Sequence, residues 1–408
     1  MSQRGNLLTI YHAALQAVHG RTAVRQALQR HHVSGGICVI AIGKAASAMF
    51  LGAHDVLSGQ IVDSLVITKQ GNGDAEVTAK GACLMEAAHP TPDQRSLDAG
   101  QTLLNFIHTA PADAQLLFLI SGGASSLVEV LPAGASLADL QRVNQWLLGS
   151  GLDIRAMNQI RKSLSLIKGG RLARELGGRK TLALLISDVP GDDPATIGSG
   201  LLVADRFIEA QAAVELPPWI TALMARGVTA PVCNDAIFKN IVFDIIANLD
   251  GAKQAAAASG RKLGYDVYQH AGTLEGEVAQ VAKALVAELL NAPVGLHVWG
   301  GETTLQLPPQ PGRGGRNQHL ALVAAVELCG CDNLLFLAAA SDGSDGPTSD
   351  AGGLVDGATV ARGSVAGFEV NEALARADAG TFLAASGDLV STGPTGTNVM
   401  DLMLGMKW

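Results

Sequence analysis

A chain of 408 residues, 48% hydrophobic and 16% charged, has the material for two or three large cores and is not a disordered protein. Its net charge of −8 argues against a nucleic-acid binder, which would show a basic stripe. No run of 18 apolar residues is long enough to cross a membrane, and the first residues lack the apolar core of a signal peptide. The five scattered cysteines read as reduced thiols of a cytoplasmic protein; Cys329 and Cys331 lack the partner pair a zinc site requires.

In chain order, residues 5–30 carry apolar residues at helical spacing. The apolar run Gly36–Gly43 is a buried parallel strand leading through Lys44 into a helix, which turns Lys44 toward whatever binds at the strand's carboxyl end. A solvated helix start is the plainer alternative for Lys44. Strands follow at Ser64–Lys69 and Cys83–Ala88. The second leads into His89-Pro90-Thr91-Pro92-Asp93, where His89 is either a base or a structural histidine and Asp93 is an N-cap.

The strand Gln115–Ile120 runs into Ser121-Gly122-Gly123-Ala124-Ser125-Ser126, small residues with exposed N–H and hydroxyl donors ahead of a helix, a pattern that cradles phosphate or carboxylate. The stretch Met157–Leu176 is basic within an acidic chain, with Arg161, Lys162, Lys168, Arg171 and Arg174; it reads as an anion site or as a solvated face. The strand Thr181–Ser187 ends in Asp188, placed to hold Mg²⁺. A boundary is expected near 205–235, giving domains 1–235 and 236–408.

Asn240–Ala247 then opens a second α/β series, with a helix at Ala252–Gly260, a strand at Tyr265–His270 and a helix at Leu274–Leu290. A strand at Leu296–Leu307, a Gly/Pro/Arg loop and a helix from His319 form a further anion site around Arg316, unless the loop is simply mobile surface. Asn333–Ala340 leads to an Asp-rich loop that lacks EF-hand spacing. Ser391–Asn398 is a last small-residue loop before a short helix, VMDLML.

Small-residue and charged loops after the strands of two α/β halves are what phosphoryl transfer needs, namely positioning and charge neutralisation. In addition, IGKAA at 42–46, HPTPD at 89–93, LISGGASSL at 119–127, NQIRKSLSLIKGGRLA at 158–173, SDVPGDDPATIGSG at 187–200, GGETT at 300–304, GRGGRNQ at 312–318, SDGSDGPTSDAGG at 341–353 and TGPTGTN at 392–398 occur in fixed order along nearly the whole chain. By these motifs the chain resembles the glycerate kinases of the MOFRL type.

The resemblance implies a Rossmann-like parallel α/β domain, a smaller mixed α/β domain and an active site in the cleft between them. It also implies ATP and Mg²⁺ as cofactors, D-glycerate as substrate and 2-phosphoglycerate as product. Lys44 and Arg316 match the family's basic cleft residues. With Asp188 they form the expected catalytic set. Ser121, Gly122, Gly123, Ser125, Lys162, Lys168, Asn317, Thr395 and Asn398 are the expected substrate and phosphate contacts, and Asp188, Glu302 and Asp342 the expected metal ligands. Ala124, Leu201, His319 and Ser341 depart from the family's usual Gly, Pro, Glu and Thr, departures expected to alter substrate preference. Some members are labelled hydroxypyruvate reductases, but no G-x-G-x-x-G with an acidic residue about 20 positions on follows a strand here. A metabolite-binding protein without catalysis is the third reading.

Overall fold

The computed structural model describes residues 2–150, 152, 154–204 and 216–408. The chain divides into a central unit, Gly20–Ile246, and a terminal unit made of Met1–His19 and Ala247–Trp408. This division departs from the expected one at both ends. The helical stretch 5–30 is two helices, α1 (Gln3–Ala17) and α2 (Gly20–Arg30), one in each unit. In the terminal unit, α1 buries Leu7, Ile10, Tyr11, Ala14 and Leu15, the Tyr11 hydroxyl donates to the Ala340 carbonyl at 2.7 Å, and Arg4 pairs with Asp356 at 3.0 Å and Asp388 at 2.7 Å. The apolar spacing runs on through the break, so it carries no sign that the packing partner changes. Of the expected boundary stretch, 205–215 lies outside the described residues.

The central unit holds strands β1 (Ile37–Ile42), β2 (Ile61–Lys69), β3 (Cys83–Ala87), β4 (Gln115–Ile120), β5 (Thr181–Ile186) and β6 (Ile241–Ala247) in the order β3-β2-β1-β4-β5-β6. The pairs β1–β2, β2–β3, β1–β4 and β4–β5 are parallel. Every residue of β1 is buried, so both faces of the sheet are covered there, which is why these strands read as unbroken apolar runs. The stretch expected to open a second series is thus the edge strand β6 of the first sheet, which moves the boundary past residue 235.

The helices of this unit are α3 (Ala46–Leu57), α4 (Ala75–Ala79), α5 (Gln94–Thr109), α6 (Ala124–Leu127), α7 (Leu137–Gly149), α8 (Ile154–Ser163) and α9 (Pro218–Met224). Asp93 caps α5 as expected, in a capping box with Ser96. The basic stretch is not one helix: α8 stops at Ser163, and Gly169 and Gly170 follow in the left-handed region at φ 60° and 80°. A Cβ on Gly170 would sit 3.0 Å from the Ala204 backbone, so the chain approaches itself closely at this glycine.

The terminal unit holds α10 (Leu249–Lys262), β7 (Val267–Gln269), β8 (Leu274–Glu277), α11 (Val278–Asn291), β9 (Gly295–Thr304), α12 (Arg316–Glu327), β10 (Leu334–Ala340), β11 (Gly352–Asp356), α13 (Thr359–Val365), α14 (Val370–Ala375), α15 (Ala379–Ser386), β12 (Leu389–Val390) and β13 (Asp401–Lys407). Its mixed sheet runs β12-β11-β10-β13-β9-β7, with β8 also paired to β9. The strand β13 is a correction: the expected C-terminal helix is a central strand, antiparallel to both β10 and β9. A short apolar run is equally a buried strand or a helix segment by pattern. Pairing with β10 and β9 on its two edges decides it here, and Gly405 allows close packing, since a Cβ there would meet the Leu289 and Trp299 side chains at about 3.0 Å. Residues 274–277 likewise leave the expected helix to pair with β9 as β8, and Glu277 caps α11 by accepting from the Gln280 N–H.

Candidate active site

In the central sheet the chain passes from β1 to one side through β2 and β3, and from β4 to the other through β5 and β6. The loops after β1 and β4 therefore meet where the strand order reverses, the place at which open α/β sheets bind ligands. The two loops touch closely. Lys44 N donates to the Gly122 carbonyl at 2.9 Å, and Ala45 N to Ser121 Oγ at 3.0 Å. A Cβ on Gly43 would lie 2.2 Å from Ser121 Oγ, so the β1 turn requires glycine. On Gly123 (φ 84°) it would lie 3.0 Å from the His89 ring and 3.2 Å from Lys44 Cγ. Lys44, His89 and the glycine loop thus form one wall.

A pocket of 490 Å³ opens from there, lined among others by His89, Gly123, Ser125, Glu129, Arg161, Lys168, Asp188 and Ser199. Asp188, at the end of β5, lies where expected. Ser125 Oγ is 2.7 Å from Ser199 Oγ. Lys168 Nζ, however, is bound to Glu129 Oε2 at 2.6 Å, with the two side chains 5% and 1% exposed. The Glu129 side chain also accepts from Val130 N at 3.0 Å. This buried pair neutralises the lysine expected to meet substrate. Lys162 Nζ donates to the Ala195 carbonyl at 3.0 Å. Ser121 is wholly buried and its Oγ serves the Ala45 amide, while the Gly122 carbonyl serves Lys44. The expected helix after this loop is the single turn α6, too short for an N-terminal dipole. The loop thus packs on the β1 turn through Ser121 and Gly122 and presents Gly123 and Ser125 to the pocket.

In the terminal unit, Arg316 opens α12 after Gly315. The N-terminus expected to receive a ligand anion is already capped from within: Asp345 accepts from Asn317 N at 3.1 Å and from Gln318 N at 2.8 Å. Asn317 is fully buried with its amide 3.4 Å from the same carboxylate, so it is a structural residue and not the expected ligand contact. The Arg316 guanidinium pairs with Glu302 and, at 3.5 Å, with Asp401. Burial would lower its pKa, but these two acids hold it raised.

Burial pushes Asp401 up to about 7 against the pull of Arg316, with Glu302 and Asp345 adding to the rise; Asp345 is pushed by burial up to about 6. Asp342 Oδ1 accepts from Ser344 N at 2.9 Å, and Thr395 Oγ1 donates to the Ser341 carbonyl at 2.5 Å. A Cβ on Gly343 would come within 2.0 Å of the Gly393 carbonyl, so the Asp-rich loop and the loop holding Thr395 and Asn398 pack tightly together. Of the four family departures, Ala124 and Leu201 belong to the central hydrophobic core, His319 is buried with its pKa lowered by burial, and Ser341 Oγ accepts from Val399 N at 2.7 Å. None of the four lines the pocket.

Among the described residues, no three of His, Cys, Asp and Glu are placed to hold an ion, and Asp188 belongs to a different unit from Glu302 and Asp342. Glu302 is engaged by Arg316. Magnesium carried on a nucleotide takes only one or two carboxylates, with the phosphates and water supplying the rest. Asp188 at the pocket fits that role; a preformed protein cage does not. Sequence reasoning missed Glu129, Asn144 and Asp401. Glu129 follows the glycine loop in an apolar context with nothing to mark it as the partner of Lys168, and Asp401 lay in a stretch read as helix. Asp345 was seen only as part of a rejected calcium motif.

The chain matches two family models: the Domain of unknown function (DUF4147) over residues 6–217 and the MOFRL family over residues 295–401. It is 32% identical to the D-glycerate 2-kinase of Thermotoga maritima, with 98% of this chain and 97% of that protein covered. It is 35% identical to a putative hydroxypyruvate reductase of Agrobacterium vitis, covering 98% and 94%. The crystal structure of glycerate kinase from Thermotoga maritima superposes with a TM-score of 0.85 at 30% identity, covering 99% of both chains. Among the described residues, no helix is long and apolar enough to cross a membrane.

Proposed function

Because the chain belongs to the MOFRL-containing glycerate kinase family, we infer that it is a glycerate kinase that transfers the γ-phosphoryl group of ATP to the 2-hydroxyl of D-glycerate. The products are 2-phosphoglycerate and ADP. The observation that carries this reading is the wall at the β1/β4 switch point, where Lys44 and His89 lie against Gly123 beside the pocket. A fixed cation there stabilises the charge spread over the phosphoryl oxygens during transfer.

Asp188 stands in the pocket as the carboxylate that orients the attacking hydroxyl. Bound with the nucleotide, Mg²⁺ would be held by Asp188 and the phosphates, and would neutralise their charge. In the terminal unit the cationic role falls to Arg316, whose planar fork is oriented by Glu302 and Asp401. Ser125 and Gly123 line the substrate side, and Thr395 and Asn398 shape the loop beside Asp342.

The reductase reading takes some support from a relative's name and from the strand order, which is that of dinucleotide-binding sheets. The turn after β1 weighs against it. It reads Gly43-Lys44-Ala45-Ala46-Ser47, and a buried Ala45 stands where a dinucleotide fingerprint needs its second glycine for the pyrophosphate to approach. A coupled assay should release ADP only with D-glycerate and Mg²⁺ present, and phosphorus NMR should place the phosphate on the 2-position. NADH oxidation by hydroxypyruvate without ADP release would refute the kinase reading. Glycerate binding without turnover would leave the metabolite-binding reading.

A further inference from the structure

Among the described residues, one cation of the central pocket has no acidic partner. Arg161 lies on α8, one turn after Asn158, and both line the pocket with Asn144 of α7. Its Nε donates to Asn144 Oδ1 at 2.9 Å and its Nη1 to Asn158 Oδ1 at 3.3 Å. Among the described residues, Arg161 makes no ion pair and Nη2 has no acceptor. Two neutral amides aim the guanidinium without neutralising it, and burial draws its pKa below the ordinary value. A cation desolvated in this way is stabilised chiefly by an incoming anion.

The small core of Val143, Leu147, Ile160, Leu164, Ile220 and Leu223 fixes the two helices beneath it. The charges around it also limit which anion fits. The pocket carries Arg161, Lys168, Glu129 and Asp188, and Lys168 and Glu129 cancel each other. A balanced lining of this kind suits a monoanion at Arg161, whereas the several negative charges of a polyphosphate need Mg²⁺ beside Asp188 to offset them.

We propose that Arg161, oriented by Asn144 and Asn158, is the seat of the substrate's carboxylate. It holds the hydroxy acid through the guanidinium fork so that the hydroxyl faces Asp188 and the wall at Lys44. This rests on the kinase reading above and assigns one end of its acceptor. It also predicts selectivity for 2-hydroxy acids over neutral polyols, because the carboxylate supplies the anchoring contact.

The test is steady-state kinetics of the full-length protein with Arg161→Met and Asn144→Asp. Arg161→Met should raise the KM for D-glycerate about 10²-fold, the size of a lost charge-assisted two-point contact, and leave the KM for ATP within about twofold. For glyceramide, in which an amide replaces the carboxylate, the same substitution should change little. Asn144→Asp keeps the arginine but places a carboxylate against its Nε. It should likewise raise the KM for D-glycerate with Tm unchanged or higher, so the test stands even if Arg161→Met folds poorly. A rise in the KM for ATP in place of that for glycerate would give the seat to the nucleotide phosphates and overturn the proposal, as would unchanged constants in both variants. If the wild-type protein releases no ADP with glycerate, the kinase reading fails separately. Calorimetry with D-glycerate alone then decides the seat: binding to wild type that is lost in Arg161→Met upholds it, and absent or equal binding overturns it.

Discussion

Glu129→Gln tests whether Lys168 is held by the protein and not by the substrate. The Lys168–Glu129 pair is 2.6 Å long with both side chains at or below 5% exposure. Removing one charge of such a pair leaves the other buried and uncompensated, at about 3–5 kcal/mol. For a unit the size of Gly20–Ile246, each kcal/mol lowers Tm by about 2–4 °C. Calorimetry should therefore show the central unit's transition about 6–20 °C lower in Glu129→Gln. Lys168→Met should also destabilise, but the double variant Glu129→Gln/Lys168→Met, with neither charge left, should recover most of the loss, because replacing a whole buried pair with apolar volume is close to neutral. Additive losses in the double variant would refute the pairing as the source of the cost. A large rise in glycerate KM in Lys168→Met at full folding would return the lysine to the substrate.

The remaining predictions concern the cationic residues and the acid cluster. Lys44→Met should lower kcat by about 10² or more with a small change in ATP affinity, since a transition-state contact acts on kcat; single-turnover kinetics separates the two. Arg316→Lys should keep the charge, lose the fork and retain only a small part of the activity, and Arg316→Ala should lose about 10³-fold or more in kcat/KM. Asp401, raised by burial from 3.8 to about 7, makes a contribution to stability that is fully present below its unfolded pKa and lost as pH rises through its folded one. Stability of the terminal unit should therefore fall between about pH 4 and 7, and Asp401→Asn should flatten that part of the Tm–pH profile; an unchanged profile would place the titration elsewhere.

The parallel strands were legible almost to the residue where they are buried, while the half-exposed start of β2, Ile61 to Asp63, was not. The reading Gln115–Ile120 is β4 itself, and Gly36–Gly43 and Thr181–Ser187 overrun β1 and β5 by a residue at each end and by one residue at the carboxyl end, respectively. A strand covered on both faces needs apolar residues at every position, so its sequence announces it. What was not legible depended on contacts distant along the chain. The helix α1 packs chiefly against α10 and is pinned by Ala340 and Asp388, all more than two hundred residues away. The role of β13 follows from β9 and β10 lying on either side of it.

The candidate site divides in the same way. Lys44, Gly123, Ser125 and Asp188 gather at or beside the pocket because a strand end followed by a turn places them by local geometry alone. Ser121, Asn317 and Lys168 carried the right chemistry for a ligand but serve Ala45, Asp345 and Glu129 instead. A polar residue in a small-residue loop satisfies a neighbouring backbone or charge as readily as a ligand, and only the fold decides which is nearer.

In the terminal cluster, the helix terminus that singled out Arg316 is already occupied from within the chain. Amide groups at the start of α12 do attract an anion, but the anion is Asp345, 28 residues downstream of Asn317. With its N-terminus closed, α12 offers a ligand the side chain of Arg316 and not its backbone. That side chain stands between two unequal acids: the Asp401 side chain is 4% exposed and the Glu302 side chain 43%. The buried acid fixes the direction of the fork. The exposed one forms a pair worth no more than about 1 kcal/mol, which an incoming phosphoryl oxygen can replace at small cost. Arg316 is thus oriented before a ligand arrives, with one arm held and the other exchangeable. Preorganisation of this kind makes a fixed charge more effective in a transition state than a mobile one, because little reorganisation remains when the charge develops.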